Sequence, residues 1–492
     1  MRKSNALNPM LKIIFTGIFC AISFVSSGQS FIHPGILNNK TELDFIKSKI
    51  KEGQEPWKTA FVKLKTSSYS SLNYKSQPFA IVECGLYNNP NIGCNNIVDD
   101  GMAVYSLSLM WYFTDSIQYA NKAIEIINAW SDVYQQNTNS NARLVVSWAT
   151  PWYVNGAEIL RYSNAGFKDS DIAKFNTLLD KFLPYTLDET MSGNNWIQSA
   201  IEAHIAIAVF KNDRVLFTKA VDRWKVRVKT YIYQDTDGPK PVSIPNKTET
   251  QTETIWRSTA TSTAYINGLA METCRDLGHL GLGYNSMIYA AETAWKQGID
   301  LFSGEKKRLS DFMELHGSWM TGAVAVPANI CDGKVIAGAS DANGIKPPTG
   351  GGKTCWEIAY LHLHKRLGID LPYTKQMILI TRPKTAYHWV SKWETLTHGS
   401  QFDVSDIDQI YQPSDNKSCN KVYPNPAKRN LYIETIDSGM SNFQVLSPSG
   451  QIILKGNFEG KTEVDMTNYS HNFNLVRVLT NTGVSNHKIF IN

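Results

Sequence analysis

Residues able to transfer protons are concentrated in one stretch, Asn267-Gly-Leu-Ala-Met-Glu272-Thr-Cys-Arg275-Asp276-Leu-Gly-His279-Leu-Gly-Leu-Gly-Tyr284. Glu, Arg, Asp, His and Tyr alternate there with glycines and apolar residues, unlike the pattern of a solvated charged face. A Tyr hydroxyl can protonate a leaving oxygen, and a neighbouring Arg or His lowers its pKa towards a useful range. The stretch therefore predicts proton-transfer chemistry.

A second polar stretch, Ser192-Gly-Asn194-Asn195-Trp196-Ile-Gln198-Ser199, opens an otherwise apolar helical segment. An Asn amide can donate a hydrogen bond to a carboxylate, so the two stretches together indicate a site for acidic sugars. The structural alternative is that Asn194 or Asn195 caps the helix, and one residue could do each job.

Both stretches resemble the alginate-lyase-like polysaccharide lyases built on a helical toroid, and the resemblance covers about residues 30–400. Glu272 to His279, followed by Ala290-Ala-Glu-Thr-Ala-Trp-Lys-Gln-Gly298, is the most specific part and is similar to polysaccharide lyase family 38. Further matching elements are Phe31-Ile-His33-Pro34-Gly35, Glu55-Pro56-Trp57, the segment from Cys84 to Asp100, and Trp393-Glu394-Thr-Leu-Thr-His398. The resemblance implies a mainly α fold, an incomplete (α/α) toroid of about six or seven helix pairs.

The activity implied by the resemblance is β-elimination on a uronate polymer, with polymannuronate (alginate) ranked first and glucuronan second. The reaction removes the proton at C5, next to a carboxylate, and expels the oxygen at C4. It needs neutralisation of that carboxylate, a base near C5 and an acid near O4.

The resemblance assigns carboxylate neutralisation to Asn195, and the acid, or both acid and base, to Tyr284. Tyr265, Tyr153 and Tyr289 stay open as alternatives, because an ordinary Tyr is usually a core or rim residue. His279 is the base or positions the Tyr and the sugar. Arg275 stabilises a tyrosinate or the substrate carboxylate, unless it only forms a structural ion pair with Glu272 or Asp276.

A wider set of polar and aromatic residues is expected to contact the sugar chain. It comprises Asn194, Trp196, Gln198, His204, Arg257, Glu272, Trp393 and His398. No metal or other cofactor is expected: His362 and His364 are two positions apart, on different faces of a helix, and no calcium loop or zinc spacing occurs.

Two other functions fit the same composition. A toroid glycoside hydrolase would need two carboxylates, which Glu158, Glu272, Asp276 and Glu394 could supply. A non-catalytic glycan-binding protein would use Trp and Tyr along a groove. Formation of a 4,5-unsaturated chain end separates elimination from both.

The 492 residues allow one large and one small domain, with 42% apolar residues and a formal net charge of +5. The charge is compatible with a polyanionic substrate, and no basic run indicates nucleic acid. Residues 1–28 read as a secretory signal peptide, and no later segment is long and apolar enough to span a membrane. After removal of Cys20 six cysteines remain, among which Cys84 and Cys94 are the likeliest disulfide pair; Cys274 is a structural cysteine rather than a catalytic thiol.

Helical periodicity dominates residues 29–405, the expected lyase domain. Predicted helices are Met102–Phe113, Ile117–Trp130, Val154–Tyr162, Asp169–Phe182, Asn195–Phe210, Arg214–Tyr231, Tyr284–Phe302 and Lys307–Met320. Residues 406–420 read as a linker, and residues 421–492 as a small β-sandwich with strands near 430–434, 442–446 and 451–455.

Val422-Tyr-Pro-Asn-Pro426, Ser447-Pro-Ser-Gly450 and Lys488-Ile-Phe-Ile-Asn492 resemble the sorting domain of the type IX secretion system. This resemblance implies export through that machinery and a secreted or cell-surface location. A carbohydrate-binding module is the alternative for this domain, but its strands carry no aromatic platform. The expected partner is an anionic uronate polysaccharide, and the protein is expected to be a monomer.

Overall fold

The structure is a computed structural model and describes residues 30–191, 193–259, 264–320, 323–333, 356–383, 385–386, 391–399, 420–427, 429–446, 452–467, 473–480 and 483–490. The expected signal peptide and nearly all of the expected linker lie outside this set. No helix within the described ranges is long and apolar enough to cross a membrane.

Helices make up most of the described residues up to residue 399. They are α1 (Lys40–Lys51), α2 (Trp57–Lys65), α3 (Cys94–Thr114), α4 (Ile117–Val133), α5 (Ala142–Arg161), α6 (Asp169–Thr186), α7 (Asn195–Phe210), α8 (Arg214–Tyr231), α9 (Glu249–Thr259), α10 (Leu277–Lys296), α11 (Lys306–Met320), α12 (Glu357–Tyr360), α13 (Pro372–Thr381) and α14 (Glu394–His398). A small sheet joins β1 (Ile81–Cys84), β2 (Asn91–Ile92) and β3 (Gln136–Thr138).

Four long helices form a buried inner row, in which α3 packs on α5, α5 on α7 and α7 on α10. Their neighbours α4, α6 and α8 bury one face only, as the amphipathic pattern predicts. The predicted bounds of α7 and α8 are confirmed. By contrast, α5 and α10 begin earlier than predicted. Their first turns were not recognised in the sequence, because Pro151 lies inside α5 and glycines occur in the first turns of α10, and both residue types disfavour helix.

The inner helices start at one end of the domain, because an outer helix carries the chain back between successive inner ones. Several contacts join the segments just before or at these starts. The predicted Cys84–Cys94 disulfide is present. Arg143, at the start of α5, pairs with Asp188 ahead of α7 at 2.8 Å. We call the region formed by the first turns of α5, α7 and α10 the N-terminal end.

The middle of the inner row is filled by the segment 391–398. Lys392 pairs with Glu202 of α7 at 2.7 Å, with both side chains at most 6% exposed, and its ammonium lies 4.1 Å from the ring centre of Tyr289. Trp393 takes a left-handed backbone conformation (φ 59°) and donates its indole N–H to Ser106 Oγ of α3 at 2.8 Å. With the middle of the row filled, the side chains of α5, α7 and α10 that are not buried lie near the helix ends: Arg143, Trp196 and His279 near the starts, and Arg161 and Trp295 near the opposite ends.

The C-terminal part contains only strands among its described residues: β4 (Lys421–Tyr423), β5 (Asn430–Glu434), β6 (Ser441–Leu446), β7 (Ile452–Phe458), β8 (Lys461–Asp465), β9 (Phe473–Thr480) and β10 (Gly483–Phe490). They form an antiparallel sheet in the order β10-β9-β6-β7 and another in the order β4-β5-β8. Side chains from both sheets share one apolar core, including Leu431, Val445 and Val476. The predicted small β-domain is therefore present as two small sheets.

Candidate functional site

The motif of residues 267–284 forms a turn, which backbone hydrogen bonds hold in place, and then the first two turns of α10. Residue pairs 232/270, 233/269 and 231/271 join this turn to the segment after α8, with Met271 N donating to Tyr231 O at 2.9 Å. Cys274 is bonded to Cys331, which makes it a structural cysteine as expected. The charged side chains of the motif are thus held on a fixed backbone.

His279 stands out from an otherwise buried helix. Of the twenty residues of α10, only His279 and Trp295 are not buried, and the His279 side chain is 34% exposed. Asp276 caps the helix by accepting from His279 N at 2.7 Å, and its other oxygen lies 2.5 Å from His279 Nδ1. The imidazole is oriented by a carboxylate, while Nε2 has no protein partner within the described part of the chain.

Asp276 remains a carboxylate in this arrangement. Burial raises the pKa of Asp276, but hydrogen bonds from the side chain and backbone of His279 outweigh burial and bring the pKa below its usual range. An ionised Asp276 accepts the proton on Nδ1, so it favours the tautomer whose Nε2 lone pair is free. That nitrogen can then take a proton from a substrate.

Glu272 is a fully buried carboxylate with four donors. Its Oε1 accepts from Asn195 Nδ2 at 2.8 Å and from Arg275 Nη1 at 3.0 Å; its Oε2 accepts from Asn195 N at 2.9 Å and from the Tyr231 hydroxyl at 3.2 Å. Burial raises the pKa of Glu272, and the charge of His279, the Asn195 bonds and the charge of Arg275 counter part of that rise. Glu272 therefore joins the start of α7 to the motif and does not itself face solvent.

Arg275 carries the accessible positive charge of the motif. Its side chain is 32% exposed, and one guanidinium nitrogen is anchored on Glu272. The other guanidinium nitrogens have no hydrogen-bond partner among the residues described, so the cation is oriented and still able to bind an anion.

Tyr231 belongs to this network, although the sequence analysis did not select it. The residue is fully buried at the end of α8, and burial together with the charge of Glu272 raises its pKa well above the ordinary value, so it stays a donor. Its hydroxyl reaches Glu272 through a gap in α10 where Gly283 has no side chain: a Cβ there would lie 2.2 Å from the Tyr231 oxygen. The sequence signal was Gly283 itself, because glycine disfavours a helix interior and its presence there indicates a close contact.

Gly283→Ala is expected to lower the free energy of unfolding by about 1–2 kcal/mol. Alanine gains up to about 1 kcal/mol of helix propensity, but the rigid, buried Tyr231 ring must move, at a cost of about 1–3 kcal/mol. Urea denaturation measures the change. Gly304→Ala is the control, because a Cβ there meets nothing within 4 Å. Equal behaviour of the two variants would contradict the tight Tyr231 contact.

The predicted tyrosines separate by burial. Tyr284 is fully buried, stacks on Phe312 with ring centres 3.9 Å apart, and donates to Leu309 O at 3.3 Å. Burial, then the charge of Glu394, raises its pKa well above the ordinary value. Tyr153 and Tyr289 are also buried. Tyr265 is the partly exposed member of the set; its ring contacts Tyr233 and Trp256, and its hydroxyl oxygen is buried without a partner among the described residues.

The helix-opening stretch divides between scaffold and surface. Asn194 caps α7 by accepting from Trp196 N at 3.2 Å, so the capping alternative holds for Asn194. Asn195 is fully buried and spends its amide on Glu272, which removes it from direct contact with a sugar in this arrangement. Gln198 is also buried. Trp196 is the single residue of α7 that is not buried and lies in its first turn.

Four other residues were predicted to contact the sugar chain. Three of them are buried away from the N-terminal end, and the side chain of the fourth is outside the described set. His204 is buried and bonded to Arg223 at 3.1 Å; burial and the Arg223 charge lower its pKa to about 3. Trp393 and His398 are buried in the segment that fills the inner row, where His398 Nε2 lies 3.1 Å from Leu37 O. Arg257 lies in α9, and its side chain is outside the described set.

Arg143 was missed by the sequence analysis, which began α5 too late to include it. It is the second residue of α5, its side chain is 46% exposed, and it pairs with Asp188 and donates to Thr190 Oγ1 at 3.1 Å. The accessible residues in the first turns of α5, α7 and α10 are thus a cation, an indole and an imidazole: Arg143, Trp196 and His279. Such a set can bind an acidic sugar ring and transfer a proton.

Comparisons with known proteins concern the family profile and the fold. The profile of the alginate lyase family matches residues 88–256, and that of the secretion system C-terminal sorting domain matches residues 421–492. An alginate lyase from Bacteroides ovatus superposes with a TM-score of 0.50 at 14% identity, covering 75% of this chain and 100% of its own. Alginate lyase A1-III from Sphingomonas species A1 gives 0.51 at 12% identity, covering 74% of this chain and 97% of its own. No curated protein sequence gives a significant match.

The structural matches show the fold. The helical part shares the (α/α)-toroid architecture of those two lyases, as the sequence analysis predicted. The number of helix pairs and the family number stay predictions.

Proposed function

We propose that this chain is a polysaccharide lyase that cleaves a uronate polymer by β-elimination, with polymannuronate first and glucuronan second; the match of residues 88–256 to the alginate lyase family profile supports the proposal. One observation carries the proposal. At the start of the buried helix α10, His279 is oriented by Asp276, and Arg275 uses one guanidinium nitrogen to bind Glu272.

His279 acts as the base that removes the proton at C5. Its Nδ1 is held by ionised Asp276, so the proton arrives on Nε2, and the resulting imidazolium is stabilised by the adjacent carboxylate. Such an oriented base is expected to contribute about 10²–10⁴ in rate.

Arg275 neutralises the sugar carboxylate. The ionised carboxylate makes the C5 proton a very poor acid, and a cation stabilises the developing enolate more than the ground state. Glu272 fixes one guanidinium nitrogen and leaves the others for the substrate. Arg143 supplies a second positive charge, and Trp196 offers an aromatic face for a sugar ring.

Tyr265 is the proposed acid at O4, in place of Tyr284. A proton donor must reach the leaving oxygen, and Tyr284 donates inside the core to Leu309 O. Tyr265 immediately precedes the motif and is partly exposed as a residue, and its buried hydroxyl has no partner among the described residues, so that proton is not committed to a core hydrogen bond.

The stereochemistry of the polymer decides which groups are needed. In mannuronate and glucuronate the C5 proton and O4 lie on the same side of the ring, whereas in guluronate they lie on opposite sides. Because a His and a Tyr are both available here, the residues alone do not select one of these polymers. The test therefore compares the polymers directly.

The substrate test incubates purified mature protein separately with polymannuronate, polyguluronate, glucuronan and hyaluronan. The ultraviolet absorbance of the 4,5-unsaturated end and the release of reducing ends are followed in parallel. We expect absorbance to rise with polymannuronate most strongly. Reducing ends without absorbance would show hydrolysis, and neither signal on any polymer would favour a glycan-binding role.

The sorting domain at residues 421–492 implies a secreted or cell-surface protein. We propose that residues 1–28 direct export, that residues 29–405 form the lyase domain, and that residues 406–420 link it to the sorting domain. A polymer too large to enter a cell is a suitable substrate for an enzyme at that location.

A further inference from the structure

A cavity of about 730 Å³ lies along the outer helix α8, away from the motif of residues 267–284. We call it the α8 pocket. Its lining includes Glu189, Val215, Lys219, Arg223, Val226 and Arg227. Positions 215, 219, 222 and 226 follow the spacing of one helix face, so the pocket runs along a single stripe of α8.

Two arginines of the pocket are buried although their charge is incompletely paired. Arg223 is 8% exposed and Arg227 is 1% exposed. Both pair with Glu189, at 2.7 and 2.9 Å, and Arg223 also donates to Thr186 O at 2.8 Å. Arg223 Nη2 and Arg227 Nη1 have no hydrogen-bond partner among the described residues.

The single shared carboxylate is itself 40% exposed, which weakens its compensation of two buried cations. Burial lowers the pKa of Arg223; Glu189 opposes that shift, and the charge of Arg227 adds to it. Two more carboxylates lie nearby: Asp188 pairs with Arg143, and its charge also acts on Arg223, while Asp222, which lines the pocket, pairs with Lys225. Lys219 adds an exposed positive charge without an ion pair in the described structure.

Apolar side chains flank these charges. Val215 is 80% exposed and Val226 is 47% exposed, so both side chains are accessible to a ligand. A ligand with a negative charge and an apolar face would satisfy both parts of the pocket, and a pyranose ring bearing a carboxylate has that chemistry.

We propose that the α8 pocket is a second binding site for the uronate chain, in which Arg223, Arg227 and Lys219 attract a sugar carboxylate while Val215 and Val226 contact the ring. The choice of a uronate rests on the proposed function. Glu189 lies in the connection between α6 and α7, five positions before Asn194, the N-cap of α7.

Val226→Glu tests the site without disturbing the buried arginines. The new carboxylate competes with the ligand, so KM for long polymannuronate is expected to rise about five-fold, with kcat unchanged. Cleavage of short oligomannuronates, which cannot span both regions, should not change. Val226→Gln removes the apolar contact without adding a charge, so it should raise KM less than Val226→Glu does. Val62→Glu is the matched control, at a position 51% exposed on α2.

A direct binding measurement keeps this proposal separate from the proposed function. Retardation in gels containing polymannuronate should be weaker for Val226→Glu than for Val226→Gln and should decrease with salt. If no uronate is cleaved but this difference remains, the pocket stands and the lyase substrate is another polymer. Equal retardation and equal KM for the glutamate, glutamine and Val62→Glu variants would overturn the second site.

Discussion

Alanine at position 279 is expected to lower kcat/KM on the cleaved polymer by about 10²- to 10⁴-fold, the contribution typical of one proton-transferring side chain. The loss should lie in kcat, because the imidazole acts on the C5 proton during the reaction. Its 34% exposure predicts that His279→Ala folds normally. The measurement is the initial rate of unsaturated-end formation together with a thermal unfolding curve.

His364→Ala is the matched control for that experiment. This histidine is also partly exposed and has its Nδ1 hydrogen-bonded, to Ile369 O at 2.7 Å, but lies in the π-helical turn Leu361–Arg366. It should retain activity. A His279→Ala enzyme with more than about a tenth of the wild-type kcat would exclude His279 as the base.

Asp276→Asn separates orientation from capping. Asparagine is also a good N-cap, so α10 should form, but its side chain no longer stabilises an imidazolium, and kcat should fall. The folded-state pKa of Asp276 is lowered, so the aspartate contributes stability above its unfolded-state pKa and loses it as the pH falls through the folded-state value. The stability difference between wild type and variant should therefore shrink on acidification, as urea titrations at several pH values would show.

The fold was predictable wherever one residue pattern dominated a segment. Asn195–Phe210 is apolar on all sides, and Arg214–Tyr231 alternates charge and apolar residues, so their bounds were correct. The starts of α5 and α10 were not predicted, because Pro151 and the glycines near 281 disfavour helix locally and only tertiary packing overrides that preference. Arg143 was missed as a direct consequence.

The site was predictable at the level of the motif and not of each side chain's direction. Trp196 and His279 lie in the first turns of α7 and α10, and Arg275 lies just before α10; their roles stay proposals. Asn195 turns inward to Glu272, which adjoins it only through the fold, 77 positions along the chain. Tyr284 lies more than a turn beyond His279, on the side of α10 that packs against Phe312.

Buried polar residues far apart in sequence were beyond sequence reasoning for the same reason. Trp393 and His398 carry the residue types of a sugar site, but the segment 391–398 enters the core, where Lys392 needs Glu202 as its counter-ion. Tyr231 ends an ordinary amphipathic helix, whose pattern does not predict a polar partner for its hydroxyl. In the structure the hydroxyl donates to Glu272, in the space left by the missing side chain of Gly283.

Glu272→Gln is expected to lower the free energy of unfolding by about 3 kcal/mol and to reduce activity as well. Each carboxylate oxygen accepts two donors, so the amide nitrogen of glutamine would face two donors wherever it is placed. Leaving buried donors unpaired costs about 1–3 kcal/mol each. Arg275 would lose its anchor, and its cation would no longer be held for the substrate carboxylate. Urea denaturation and kcat/KM measure the two effects.

The double variant Glu272→Gln/Arg275→Gln shows whether the carboxylate acts through the arginine. If it does, the double variant should lose no more activity than Arg275→Gln alone, although it is less stable, so the two activity losses are not additive. Activity must be measured well below the unfolding midpoint of the least stable protein. A Glu272→Gln enzyme with wild-type kcat/KM under those conditions would show that Glu272 holds the fold together and does not position Arg275. Additive losses would mean that Glu272 influences the reaction by a second route, through Asn195 and the start of α7.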